Sequence, residues 1–298
     1  MKLDSMRVLV TGASGSLGWA LSTIFLPRCE VVATYNSHPS VPAGTEALRV
    51  DLSDRNALGD LCRQNKPDVI FHCAAMTNPD ECEQDSRRAI RVNFEATVEI
   101  ARIAKDMGSR LVFTSTDLVF DGSKGDYREG DPAKPLSVYG TSKLRAEEAV
   151  LDIDPASLVV RSSLMYGRGS ETSGTFLTGL LDALADGRRM RLFTDQLRNP
   201  ILVDDFALAL VIAVEGDLSG LYHVAGDEAV SRLEFGRQVC RAFGYYEGLL
   251  VPISMEDFDY VAARPLDSTL NTEKFTSAAG FKPAGIAEAL ADLSEEMP

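Results

Sequence analysis

The chain has 298 residues, of which 45% are hydrophobic, and its formal net charge is -14. This length and apolar content predict one large α/β domain, or such a domain with a substantial annex, around a buried core. The negative charge argues against nucleic acid or an anionic membrane surface as a partner, although local basic groups or backbone amides could still hold a small anion. Because no apolar run approaches the length of a membrane span and the N-terminus lacks a signal-peptide pattern, we expect a cytoplasmic protein that does not enter a membrane.

The five cysteines indicate neither a disulfide framework nor a zinc site. Their number is odd, and no two of them form a Cys-x-x-Cys pair. Reduced thiols are therefore expected, and no metal site is predicted from these residues.

A glycine-rich turn follows the first predicted strand. The apolar run 7–10 leads into Thr-Gly-Ala-Ser-Gly-Ser-Leu-Gly at 11–18, and residues 19–26 favour a helix. Glycines in this strand–turn–helix context let the backbone approach a pyrophosphate, which the amides of the helix N-terminus can bind. A turn that serves only the backbone is the alternative. The candidate cofactor-binding residues here are Gly12, Ser14, Gly15, Ser16, Leu17 and Gly18.

The second predicted strand, residues 30–35, ends where an adenosine ribose lies in a doubly wound sheet. The chain offers Asn36, Ser37 and His38 at this point, with no carboxylate to bind a ribose 2′-hydroxyl. This favours NADP over NAD, although no arginine marks a 2′-phosphate. His38 is the nearest candidate for that phosphate, and an exposed loop histidine is the alternative interpretation.

Strands alternate with helices over the next part of the chain. The predicted segments are a strand at 47–50 that ends in Asp51-Leu52, a helix capped by Ser53 or Asp54 and ending at Asn65, a strand at 69–75, a helix at 85–107 with Gly108 as its C-cap, and a strand at 111–115. This alternation predicts an α/β fold, a Rossmann-type doubly wound parallel sheet with right-handed crossovers. Small residues at the end of the fourth strand would let a flat cofactor lie against the backbone.

A Tyr-x-x-x-Lys pair, Tyr139 and Lys143, lies in a segment that favours a helix after Gly140. Residues four apart share one face of a helix, so both side chains can point into one site. A neighbouring ammonium favours the phenolate, and Lys143 is therefore expected to lower the pKa of Tyr139. A surface helix that carries a Tyr and a Lys is the alternative. Hydroxyl groups at the end of the fifth strand, including Thr116, could reach a substrate carbonyl.

Regular alternation ends after a sixth predicted strand at 157–163. Segments 164–200 and 226–270 are predicted to be irregular, whereas 203–214 favours a helix and 221–224 a strand. We expect a dinucleotide-binding domain formed by residues 1–163, to which 201–225 return. A smaller, interleaved C-terminal substrate domain would be formed by 164–200 and 226–298.

The chain resembles the extended short-chain dehydrogenase/reductase family, and within it the dTDP-4-dehydrorhamnose reductase group, over nearly its whole length. The matching motifs occur in the family order at 11–18, 51–52, 72–75, 92–93, 115–122, 139–143, 161–167, 222–226 and 264–270. Single motifs of this kind are common by chance, but a series in the family order is not.

The resemblance implies a catalytic triad and a set of binding residues. Tyr139 would protonate a substrate carbonyl, Thr116 would hydrogen-bond the same oxygen, and Lys143 would hold the nicotinamide ribose. Further implied cofactor contacts are Asp51, Leu52, Cys73, Ala74, Ala75, Met76, Asn93, Thr114 and Ser115; implied substrate contacts are Thr77, Thr116, Asp117, Leu164, Asn199 and Arg264. Arg264 would hold a nucleotide diphosphate, and an ion pair with a surface carboxylate is the alternative. The implied cofactor is NADP, with NAD as the second option, and a homodimer is one option for assembly.

Two departures from the group concern the sugar. Leu118 and Leu164 replace a Tyr and a Trp of the rhamnose-forming enzymes, so the sugar nucleotide stays open. Leu118 also lacks the acid of a sugar-nucleotide dehydratase. Beside a 4-keto sugar-nucleotide reductase, two alternatives are a non-catalytic subunit resembling the methionine adenosyltransferase β subunit and a sugar-nucleotide epimerase.

Overall fold

Thirteen strands and eleven α-helices occur in residues 3–297, which the computed structural model describes except for the side chains of Arg55 and Asn56. The strands are β1 (Arg7–Thr11), β2 (Glu30–Tyr35), β3 (Glu46–Arg49), β4 (Val69–His72), β5 (Arg110–Thr116), β6 (Leu158–Ser162), β7 (Met165–Tyr166), β8 (Met190–Phe193), β9 (Leu197–Arg198), β10 (Ile201–Leu202), β11 (Gly220–Val224), β12 (Val230–Ser231) and β13 (Leu250–Ile253). The helices are α1 (Ser16–Phe25), α2 (Arg55–Asn65), α3 (Pro79–Gln84), α4 (Ser86–Ile90), α5 (Ala96–Met107), α6 (Val138–Ile153), α7 (Phe176–Ala185), α8 (Val203–Glu215), α9 (Arg232–Phe243), α10 (Glu273–Ala279) and α11 (Ile286–Glu296).

Seven parallel strands form the central sheet, in the order β11-β6-β5-β4-β1-β2-β3. The predicted Rossmann-type fold is confirmed. In this topology the strand order reverses between β1 and β4, and ligands bind in the crevice outside the carboxyl ends of the strands there. The turn after β1 and the ends of β4 and β5 are thus brought to one edge.

Both faces of the sheet are covered by helices. Alternate residues of β1 point to opposite faces, so Val8 and Val10 pack into the core that includes α1 and α8, whereas Leu9 packs into the core under α2, α5 and α6. The strands are apolar on both sides because both sides are buried.

The long helix predicted at 85–107 is continuous but contains a π-helical turn, Arg91–Glu95, between α4 and α5. Gly108 caps its end with a left-handed backbone, at φ 71°, as predicted. Asn93 lies buried within the π-helical turn, which places its side chain toward the loop after β4. Such turns commonly mark functional positions in helices.

The prediction that 164–200 and 226–270 are irregular was wrong. These segments contain α7 and α9, and together with α11 they form a third core. Helix α7 has leucines at 177, 180 and 184 on one face and a Thr175 capping box at its start. The glycines and arginines that suggested irregular structure lie at the ends of these helices and in the connecting loops. None of the helices described for residues 3–297 combines the length and apolarity needed to span a bilayer.

Candidate active site

A cleft of about 1080 Å³ runs along the carboxyl edge of the sheet, from the glycine turn after β1 to strand β8. It contains the proposed triad and nearly all of the other predicted site residues. The predicted residues that line it are Gly12, Ser14, Gly15, Ser16, Leu17, Gly18, Asn36, His38, Asp51, Leu52, Cys73, Ala74, Ala75, Met76, Thr77, Thr114, Ser115, Thr116, Asp117, Tyr139, Lys143, Leu164 and Arg264.

The glycine turn is shaped for close approach of a ligand to backbone. Gly12 has φ +72°, and a Cβ there would lie 2.8 Å from Cα of Ala74. A Cβ on Gly18 would clash with the Gly12 backbone, so the turn can fold back on itself only with glycine at both positions. Helix α1 starts at Ser16 with no side-chain cap and no acidic residue in its first turn, which leaves its N-terminal amides to an anion.

A segment after β7 reaches back to the glycine turn, which the sequence did not predict. Ser170 and Thr172 donate hydrogen bonds to the carbonyl of Ser14, and Ser16 donates to the carbonyl of Ser173 at 3.2 Å. Thr172 and Ser173 line the cleft. No local signal marks these residues, because the contacts join positions more than 150 residues apart in the chain.

Tyr139 and Lys143 are both buried at the middle of the cleft, with side chains on one face of α6. The helix begins at Val138, earlier than predicted, because Ser137 accepts a hydrogen bond from the Gly140 amide at 3.2 Å. Gly140 is inside the helix, where a Cβ would clash with the Leu118 carbonyl. The glycine therefore serves close packing of α6 on the end of β5, which brings Tyr139 next to Thr116.

The electrostatics of Tyr139 differ from the sequence-based expectation. Burial, with a further contribution from Asp117, raises the pKa of Tyr139, while a hydrogen bond with Thr116 lowers it. The prediction that Lys143 lowers the Tyr139 pKa was wrong for this structure. Burial dominates because the phenolate would lose its hydration in a closed pocket.

Burial also lowers the pKa of Lys143, to about 8, and the carboxylate of Glu147 opposes this effect. The Lys143 ammonium lies 4.1 Å from the ring centroid of Phe113, on the adjacent strand β5. Glu147, one helical turn further along α6, is itself buried and bound to Arg161 at 2.7 Å. Lys143 is thus a confined cation whose charge depends on a carboxylate on its own helix.

Thr116 and Asp117 form a hydrogen-bonded pair at the end of β5. The Thr116 hydroxyl donates to Oδ1 of Asp117 at 3.1 Å, while Oδ2 accepts from Ser268 at 2.7 Å and lies 3.2 Å from Nε of Arg198. Ser268 and Arg198 come from the C-terminal segments. Asp117 therefore joins the triad to the part of the cleft that those segments form.

Three arginines define the far end of the cleft: Arg198, Arg232 and Arg264. Arg232 donates to Gln196 at 3.0 Å and Arg264 lies 3.1 Å from Asp80, but the buried Nη1 of each has no hydrogen-bond partner among the described residues. Arg264 is therefore ion-paired, as one of its two alternatives expected, and it also lines the cleft. Sequence reasoning missed Arg198 and Arg232, whose surroundings are assembled only by tertiary folding.

Three predicted site residues do not line the cleft: Ser37, Asn93 and Asn199. Asn93 bonds the amide and carbonyl of Met76, at 2.8 and 3.0 Å, and thereby holds the loop after β4. The backbone N–H of Asn199 donates a hydrogen bond to the Ser163 hydroxyl, and its side-chain oxygen accepts one from the backbone N–H of Leu270. Ser37 is exposed in the loop after β2. The two buried asparagines shape the cleft from behind.

A family model described as the RmlD substrate binding domain matches residues 6–298. The chain belongs to this family. The predicted resemblance to the dTDP-4-dehydrorhamnose reductase group of extended short-chain dehydrogenases is confirmed, and the match spans both ends of the cleft.

Curated relatives of this RmlD-family chain are named either as reductases or as a subunit of methionine adenosyltransferase. It is 33% identical to a probable low-salt glycan biosynthesis reductase of Haloferax volcanii, with 97% of each chain covered. It is 30% identical to a dTDP-4-dehydrorhamnose reductase of Aggregatibacter actinomycetemcomitans, with 96% and 98% covered. It is also 31% identical to the methionine adenosyltransferase 2 subunit beta of Pongo abelii, over 92% of this chain and 83% of that one.

Among solved structures, a dTDP-4-dehydrorhamnose reductase from Bacillus anthracis in complex with NADP superposes with a TM-score of 0.88. The match covers 98% of this chain and 100% of that chain at 24% identity. The shared fold therefore extends over the C-terminal segments as well as the central sheet.

Proposed function

We propose that the chain is a reductase of a 4-keto sugar nucleotide, with NADPH as its preferred reductant and NADH as the second option. The observation that carries the proposal is the position of Tyr139, Thr116 and Lys143 in the middle of the cleft, between the glycine turn and the arginines. Residues 1–163 and 201–225 would hold the dinucleotide, and 164–200 and 226–298 the substrate.

The dinucleotide fits the first half of the cleft. Its pyrophosphate would lie on the uncapped amides of α1, where the glycines leave room for it. Small side chains after β4, Cys73, Ala74 and Ala75, line the path toward the triad. When bound, the nicotinamide would supply hydride to the carbonyl carbon.

Tyr139 would act as the proton donor of the reduction. With its pKa raised by burial, the phenol is fully protonated at neutral pH and has a proton to give to the alkoxide that develops at the carbonyl oxygen. Thr116, whose single hydroxyl proton is donated to Asp117 in the structure, would turn that proton to the same oxygen. Lys143, charged below about pH 8, would stabilise the phenolate left behind and hold the nicotinamide ribose. Solvent then returns a proton to Tyr139.

The substrate diphosphate would bind the arginines at the far end. Arg232 and Arg264 each have a buried guanidinium nitrogen that no residue in the described part of the chain hydrogen-bonds, which favours an anionic ligand. Burial and the adjacent Arg198 lower the pKa of Arg232, and a bound diphosphate would relieve this cost. A positive pocket of this kind is compatible with the net charge of -14, because the charge is local.

A second candidate is a non-catalytic regulatory subunit, since the chain is 31% identical to a methionine adenosyltransferase 2 subunit beta. A regulatory role needs a folded surface but no triad. The buried Tyr139, Thr116 and Lys143 at one point of the cleft therefore favour the reductase.

The test is a turnover assay with a panel of 4-keto sugar nucleotides, dTDP-4-dehydrorhamnose among them, followed by loss of NADPH absorbance. We expect substrate-dependent oxidation of NADPH and formation of the 4-hydroxy sugar by mass spectrometry. Conversion of a sugar nucleotide without net consumption of dinucleotide would instead indicate an epimerase. No turnover on the panel, together with copurification with a methionine adenosyltransferase, would favour the regulatory subunit.

A further inference from the structure

An arginine from β3 lies beside the loop that follows β2. The two strands pair in parallel with Tyr35 opposite Arg49, so the Arg49 side chain emerges next to the end of β2. Its Nε donates a hydrogen bond to the carbonyl of Asn36 at 3.1 Å. Tyr35, Asn36 and His38 line the cleft. Arg49 thus lies against the loop that forms the adenosine end of the cleft, although it is separated from that loop by a dozen residues in sequence.

The charge of Arg49 is available to a ligand. The side chain is exposed, and in the part of the chain that the structure describes no ion pair engages it. Arg7, at the start of β1, is instead held by Glu30 and Glu46 at 3.5 and 2.6 Å. The Nε bond to Asn36 orients the Arg49 guanidinium and leaves its two Nη groups to other acceptors.

Carboxylates near this loop are already engaged. Asp51 accepts hydrogen bonds from the amide and hydroxyl of Ser53, at 2.9 and 2.8 Å, which lowers its pKa. Glu171 accepts a hydrogen bond from Ser40 at 2.5 Å. Neither side chain makes an ion pair with Arg49. A carboxylate ready to bind a ribose 2′-hydroxyl is therefore missing among the described residues at the end of β2.

We propose that Arg49 determines the preference for NADP over NAD by binding the ribose 2′-phosphate. This inference rests on the proposed function. The end of β2 is where the ribose 2′ position falls in a doubly wound sheet, and a guanidinium there accommodates a 2′-phosphate. A planar guanidinium matches phosphate geometry with two parallel N–H donors, and the anchored Nε keeps it in place. His38 lies on the same loop as a second, weaker donor.

The experiment is isothermal titration of the intact protein with NADP⁺ and with NAD⁺, comparing wild type with Arg49→Ala. We expect Arg49→Ala to weaken NADP⁺ binding about tenfold or more, because a charged hydrogen-bonding partner of the phosphate is lost. NAD⁺ binding should change less than about twofold. Adenosine 2′,5′-bisphosphate and 5′-AMP serve as smaller probes, and only the former should lose affinity.

Two control variants separate charge from general damage. Arg49→Lys keeps the charge but not the fork of donors, so its NADP⁺ affinity should lie between wild type and Arg49→Ala. Arg63→Ala removes an exposed arginine of α2 that pairs with Asp60, and it should leave both affinities unchanged. Equal weakening of NADP⁺ and NAD⁺ in Arg49→Ala, or no weakening of NADP⁺, would overturn the role of Arg49. A wild-type protein that binds neither dinucleotide would overturn the proposed function itself.

Discussion

The triad in the middle of the cleft and the arginines at its far end treat buried charge in opposite ways. At the triad, Asp117 is satisfied by Thr116, Ser268 and Arg198, and Lys143 is balanced by a carboxylate on its own helix. At the far end, Arg232 and Arg264 each keep a buried nitrogen that has no hydrogen-bond partner within the part of the chain that the structure describes. Leaving a buried charged donor unpaired costs free energy that a ligand can recover. The carboxylate beside the triad is therefore satisfied before substrate arrives, whereas the proposed substrate would complete the arginine end.

The largest effect should come from breaking the triad. We expect Tyr139→Phe to lower the turnover rate by about 10²- to 10⁴-fold, because the proton donor is lost while the ring still fills its pocket. Dinucleotide affinity should stay close to that of wild type, as measured by titration. Tyr246→Phe is the control, since Tyr246 is 77% exposed and outside the cleft. A Tyr139→Phe rate equal to wild type would rule out Tyr139 as the acid.

The glycine turn and the Tyr139–Lys143 pair could be predicted from sequence because each is built from a short, contiguous piece of the chain. A strand, a glycine turn and a helix follow directly in residues 7–25, and Tyr139 and Lys143 are one helical turn apart. The sequence could not reveal the pKa of Tyr139. That quantity depends on burial and on Asp117, which only the packed structure brings to the phenol.

Changes at the arginine end should be smaller and should act on binding. We expect Arg232→Ala to raise the KM for the sugar nucleotide by about ten- to a hundredfold, with a smaller change in kcat, because the lost contact is made to the ground state as well as the transition state. Steady-state kinetics would measure both constants. Arg241→Ala, an exposed arginine on the same helix paired with Glu247, is the control. A fall in kcat with KM unchanged would contradict diphosphate binding.

The arginine end could not be predicted because its residues come from three separate places in the chain. Arg198 lies on β9, Arg232 begins α9 and Arg264 is in the loop after β13. Each alone looks like a surface arginine in an acidic protein. Their convergence depends on α7, α9 and α11 packing into one core, and the sequence-based prediction treated much of that region as irregular.

The smallest expected effect is a shift in the pH dependence of the rate when the Glu147 carboxylate near Lys143 is removed. If protonated Lys143 supports Tyr139, the rate should fall as pH rises through about 8, the pKa of Lys143. The Glu147 carboxylate raises that pKa, so Glu147→Gln should move the descending limb of the pH–rate profile to lower pH by roughly one unit.

Glu148→Gln, an exposed neighbour on α6, should leave the Lys143 limb in place. Because Glu147→Gln also leaves Arg161 without its buried partner, its stability should fall by roughly 3–5 kcal/mol, and profiles are compared well below its melting temperature. If the descending limb of the pH–rate profile lies at the same pH in Glu147→Gln and in Glu148→Gln, titration of Lys143 does not control the rate. In that case the balance of charge at the triad would serve folding alone, and the contrast with the arginine end would lie only in ligand binding.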